Sequence, residues 1–153
     1  SQAPPGRSVV VCWQAIRREI VMSVESWALL GAMVLGLVHL AAASFAFKAQ
    51  VGNAYTVGAR DEDIRPAGVA GRLERAQRNF LETFAIFAAA VLMLEISHRT
   101  GGWLSEAGAL IYLGGRALFL PLYAIGVPWL RTFSWNVAST GLVMVMAAVA
   151  WPA

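Results

Sequence analysis

Between Arg72 and Glu82, seven of eleven residues are charged or carry an amide, while the twelve that follow, Thr83 to Leu94, carry no charge. Arg72, Arg75, Asn79 and Glu82 are spaced by three, four and three residues. At about 100° per residue they share one helical face. Charge entering an apolar helix must face protein or a water-filled cavity, because lipid does not solvate it, so this face is expected to line a site. A second set lies downstream. Tyr112, Arg116 and Tyr123 are four and seven residues apart and fall on one helical face, Phe119 flanks Arg116, and Arg131 follows after Pro128. Arginines grip carboxylates bidentately, and asparagine and glutamate hold amide and amino groups. The pattern therefore suits a ligand bearing carboxylates and amides. The bland alternative is an Arg116–Glu82 ion pair that fixes helix register.

These residues need long apolar helices to position them. Trp27 to Phe47 is free of formal charge and long enough to cross about 30 Å of hydrocarbon. Trp27 and Lys48 bracket it as interfacial anchors, and His39 inside it reads as a packing residue. Gln50 to Gly71 reads as a loop, punctuated by glycines and Pro66 around the charged Arg60–Arg65. Its acidic residues read as a solvated loop, without metal. The second span runs from about Arg72 to Ser97, the third from about Leu104 to Val127, and the fourth from about Thr132 to Trp151. Pro128 is expected to end or kink the third. Gly141 and its small neighbours allow close helix approach in the fourth.

The composition agrees. Only 14% of the 153 residues are charged, where a soluble domain carries roughly a quarter, and the mean hydropathy is +0.60. The net charge of +3 does not point to nucleic acid, because the arginines are dispersed and several adjoin apolar segments. Cys12 is the only cysteine, which excludes an intrachain disulfide and a CxxC redox pair. Residues 1–21 read as an N-terminal extension of uncertain status, and Met22 as a natural start. Residues 22–153 read as one four-span membrane domain. Lys48, Arg60, Arg65, Arg72, Arg75 and Arg78 gather around the first connection, against Arg99 alone around the second, so the first connection is expected in the cytoplasm. Arg131 lies on that same side.

Glu74 to Glu82 resembles the second-helix signature of the MAPEG superfamily, the membrane-associated proteins in eicosanoid and glutathione metabolism: an arginine, an asparagine four residues on, a glutamate three further. Arg116, Tyr123 and Arg131 resemble the closing segment of that family, and the acidic loop resembles its prokaryotic members. The likeness covers about Ser26 to Trp151. It implies a homotrimer of four-helix protomers in the bilayer, in a bacterial inner membrane, with glutathione bound between subunits as co-substrate and the site opening to the cytoplasm. By the same resemblance Arg75, Asn79 and Glu82 are glutathione contacts, with Arg72 and Gln77 near them. Tyr112 joins Arg116 and Tyr123 in the binding set, and Arg131 stabilises the glutathione thiolate. Phe119 and Thr83 depart from the tyrosines of some synthases.

The leading expectation is a glutathione-dependent membrane transferase or peroxidase acting on lipophilic small molecules. The alternative is a non-enzymatic membrane scaffold whose arginines form structural pairs. A small transporter is the weaker third class, since no inverted repeat or broken-helix pair is visible.

Overall fold

The computed structural model describes residues 22–151; the N-terminal extension read over residues 1–21 lies outside them. Four helices follow one another: α1 Val24–Val57, α2 Gly68–Ile96, α3 Trp103–Ile125 and α4 Pro128–Ala150. All four are long and apolar enough to cross a bilayer, and the chain is an all-helical, multi-pass membrane protein. α2 packs on α1, α3 and α4, and α3 packs on α1, α2 and α4, while α1 and α4 do not meet among the described residues.

Two boundaries differ from the sequence expectation. The first connection is shorter, because helix continues to Val57 across a break at Gly52, whose φ is 83°. Glycine adopts that conformation without a Cβ penalty, so it acts as a joint between two helical segments instead of starting a loop. The loop that remains is braced by Gln50, whose Nε2 donates to Arg65 O (3.1 Å) and whose Oε1 accepts from the Ala67 N–H (2.9 Å). Pro128 neither ends nor kinks α3. Gly126, left-handed at φ 80°, caps α3, and Pro128 occupies the first turn of α4, where its missing N–H costs nothing. Arg131 therefore sits on the first turn of a helix.

The main core lies in the half of the bundle near the start of α1. Phe87, Val91 and Leu94 of α2 meet Ala109 and Tyr112 of α3 and Ala138, Leu142 and Val145 of α4. At the adjoining end two acids tie the elements together. Ser23 and Ser26 donate to Glu95, and buried Glu25 accepts from Ser105 and from the Gly101 N–H (3.0 Å). His39 is a packing residue, stacked on Phe80 at 4.6 Å with Nδ1 2.9 Å from Leu35 O.

Between α3 and α4 the backbones nearly touch. A Cβ on Gly141 would lie 2.5 Å from Tyr112 N and 2.6 Å from Gly108 O, and one on Gly115 would lie 2.8 Å from Ala138 N. Ser134 Oγ crosses the seam to Gly115 O (2.6 Å). Lipid tails are as apolar as the side chains, so close van der Waals contact and such polar links are what hold the pair together. We expect Gly141→Ala to destabilise the protein by about 1–3 kcal/mol, the usual cost of overpacking. Gly114→Ala, whose Cβ would meet nothing within 4 Å, serves as control. Thermal unfolding in detergent measures both, and equal midpoints would show that the seam has slack.

Candidate functional site

The polar face of α2 divides when it meets its neighbours. Taking Arg72 as origin, Asn79 lies about 20° round the helix, whereas Arg75 and Glu82 lie about 60° and 80° round in the same sense. Arg72 and Asn79 turn inward and are partly buried, and Arg75 and Glu82 are exposed on the protomer surface. Arg72 Nε donates to Ala124 O (2.9 Å), supplying one of the carbonyls left open at the end of α3. It thereby staples the start of α2 to the α3–α4 corner.

Arg116 is fully buried at the centre of α3. Its Nη1 donates to Asn79 Oδ1 (2.7 Å) and its Nη2 to Thr83 Oγ1. Its guanidinium carbon lies 5.7 Å and 5.5 Å from the ring centres of Tyr112 and Phe119. The alternative Arg116–Glu82 ion pair does not form within the protomer, because Glu82 is rotated outward and the neutral Asn79 and Thr83 take its place. Among the described residues the only ion pairs are Arg65–Asp63 and Arg78–Glu74, so Arg116 has no carboxylate partner, and its Nε has no acceptor. A buried cation held by neutral acceptors and ring faces has no direct counter-ion, and Glu82 acts on it only from a distance.

Toward the α3–α4 corner this interior opens into a shallow cavity of ≈ 270 Å³, lined by Asn79, Phe119, Tyr123, Arg131, Thr132 and Trp135. Arg131 lies over the Tyr123 ring, 4.8 Å from its centre, and Phe119 and Tyr123 are themselves 5.2 Å apart. An anion entering here would meet Arg131 at the mouth, with the Asn79–Arg116 pair behind it. Four of the expected residues thus converge: Asn79, Tyr123 and Arg131 at the cavity, and Arg116 one hydrogen bond further in.

Others do not join them within the protomer. Tyr112 stacks on Phe87 at 4.0 Å in the core, and its hydroxyl lies 3.2 Å from Thr83 Oγ1, so it reaches the cavity only through Thr83 and Arg116. Gln77 is about 160° round α2 from Asn79 and lines a separate cleft of ≈ 420 Å³ with Ser44, Tyr55, Asp63 and Glu74. Thr83 and Trp135 are not among the site residues expected from the sequence. Each lies one turn beyond a residue that is, Thr83 four after Asn79 and Trp135 four after Arg131, and that spacing is the available signal.

A family model, that of the MAPEG family, matches residues 24–151 and so spans all four helices. No curated protein matches the chain. The chain belongs to the MAPEG family, a glutathione-related family of membrane proteins.

Thr83 carries more structural weight than its size suggests, because one hydroxyl serves both Arg116 and Tyr112. Thr83→Val keeps the shape and removes the bonds. It should cost about 1–3 kcal/mol, the usual range for stranding a buried polar group, while Thr83→Ser should recover most of the loss. Denaturant unfolding in mild detergent reads the difference. A valine variant as stable as the parent would mean that the Thr83 bonds do not help to hold α2 to α3.

Proposed function

We propose that this member of the MAPEG family is a glutathione-dependent membrane transferase or peroxidase acting on lipophilic electrophiles. The observation that carries the reading is the cavity where Arg131, Tyr123 and Asn79 meet, backed by a buried Arg116 without a carboxylate partner among the described residues. Glutathione offers two carboxylates, two amides, an amine and a thiol. Arg116 and Asn79 suit its polar peptide portion, with Tyr123 beside it. Arg75 and Glu82, on the exposed side of the same helix, suit its remaining carboxylate and amine.

Arg131 is the proposed catalytic residue. A thiol with a pKa near 8.5 is mostly protonated at neutral pH, and an adjacent guanidinium favours the thiolate. The thiolate then attacks the electrophilic carbon, a carbon–sulfur bond forms, and the leaving group departs with its electron pair. The arginine stays charged throughout, so its contribution is electrostatic and not a proton transfer.

The site is proposed to be completed between subunits of a homotrimer. Glu82 is exposed on a helix that crosses the membrane, where an ionised carboxylate is costly against lipid. Gln77, with Arg72 in the sequence-derived binding set, faces a different cleft of the protomer; a neighbouring copy offers a way to bring such residues to one ligand. The charge around the first connection supports an opening toward the cytoplasm of a bacterial inner membrane. Residues 22–153 form the proposed membrane domain.

Light scattering corrected for detergent should return three protomers; a monomer in native-like lipid would remove the shared site. For the chemistry, Arg131→Leu should hold glutathione affinity within a few fold and lower turnover of a halonitrobenzene by on the order of a hundredfold. Arg75→Ala should instead weaken binding by about 1–3 kcal/mol. Calorimetry and thiolate absorbance across pH separate the two effects. Full activity in Arg131→Leu with loss in Tyr123→Phe would transfer the thiolate role to the tyrosine. Binding without turnover of any electrophile or hydroperoxide would favour the non-enzymatic scaffold.

A further inference from the structure

At the opposite end of the bundle lies a larger cavity of ≈ 560 Å³, formed by the α2–α3 turn, the first turn of α3 and the end of α4. We propose that it holds the phosphate of one bilayer phospholipid. Among the described residues, His98 and Arg99 supply its ionisable lining and no carboxylate lines it. Exposed Arg99 donates from Nη1 to Val149 O (2.9 Å). Three acids lie near the turn without lining the cavity: Glu25 is fully buried, its Oε1 taken by Ser105 and the Gly101 N–H, Glu95 accepts from Ser23 and Ser26, and Glu106 sits in the first turn of α3. No side chain caps α3, so the first N–H groups of that helix, at Trp103 and Leu104 on the cavity wall, lack intrahelical acceptors. Basic side chains and open N–H groups around one hollow suit a phosphodiester.

The position identifies the source of that phosphate. The cavity lies at the end of membrane-spanning helices, at the depth where headgroups reside. Trp103 and Trp151 border it, 76% and 79% exposed, and indole rings favour that interface. Leu110, two turns along α3 on the same face as Trp103, is 54% exposed and gives an acyl chain an apolar path toward mid-membrane. A soluble anion would use the basic groups and ignore the tryptophans and Leu110.

Native mass spectrometry of the full chain released from detergent tests this, with palmitoyl-oleoyl phosphatidylglycerol as probe. Saturable binding of one lipid per protomer is expected. Arg99→Gln should weaken it about tenfold, Arg99→Lys should stay within about threefold, and Arg60→Gln, on the exposed first loop, should change nothing. If Arg99→Gln does not fold, Trp103→Ala decides, with an expected loss of about threefold. The proposal is overturned if diacylglycerol with the same chains binds equally well, since the phosphate then contributes nothing. It is also overturned if inorganic phosphate displaces the lipid at equal concentration, which would mark a small-anion site. Unchanged affinity in the folded Arg99→Gln variant overturns it, as does the absence of saturable binding, the result expected if a second copy of the chain covers the cavity.

Discussion

A guanidinium in the middle of a membrane helix constrains everything around it. Arg116 is fully buried, and neutral groups from α2 hold it: Asn79 and Thr83 accept its hydrogen bonds, while Tyr112 and Phe119 offer their ring faces from α3 itself. Those partners lock the rotation of α2 relative to α3. The lock in turn decides which charges of the polar stretch face inward. Arg72 and Asn79 do so, whereas Arg75 and Glu82 are left on the surface.

The second constraint is the absence of side chains at Gly108, Gly115 and Gly141. Their backbones bring α3 and α4 so close that a methyl group would collide with main-chain atoms. Close packing carries to the corner, where Gly126 reverses the chain and Pro128 restarts it. Arg131 is thus held over the Tyr123 ring by helix geometry. Sites on rigid elements are more precise than sites on loops.

Much of this was legible in the amino-acid sequence, for definable reasons. Hydropathy marks the four spans because lipid demands long apolar helices with internally satisfied backbones. The three- and four-residue spacings place Asn79 on a site-facing side of its helix, and the apolar run around Arg116 places that residue within a span. Rotation within a face was not legible. A displacement of about 60° to 80° separates Arg75 and Glu82 from the interior, and periodicity resolves a face only to about that width. It was this displacement that replaced Glu82 by Thr83 as the partner of Arg116. Gly52 is ambiguous in sequence because the same left-handed freedom can start a loop or articulate two helical segments. Pro128 is ambiguous because proline both stops and starts helices. Gln77 shows a different limit, since a single chain carries no record of what lies against its outer faces.

The order of the helices bears on how the protein enters the membrane. An arginine at the centre of an isolated spanning helix opposes insertion by about 2.5–3.5 kcal/mol. In this chain Asn79 and Thr83, on α2, precede Arg116 in sequence, so its acceptors are synthesised before α3 leaves the ribosome. Only Gly126 and Val127 separate α3 from α4, and the contacts across their seam are local in sequence. The last two spans can therefore enter as a hairpin that shields the guanidinium against α2 while sealing its own backbone seam. Biogenesis would then hinge on arrival order: moving α2 behind α3 by circular permutation would present the bare cation to lipid first, with every native contact still available in the finished fold.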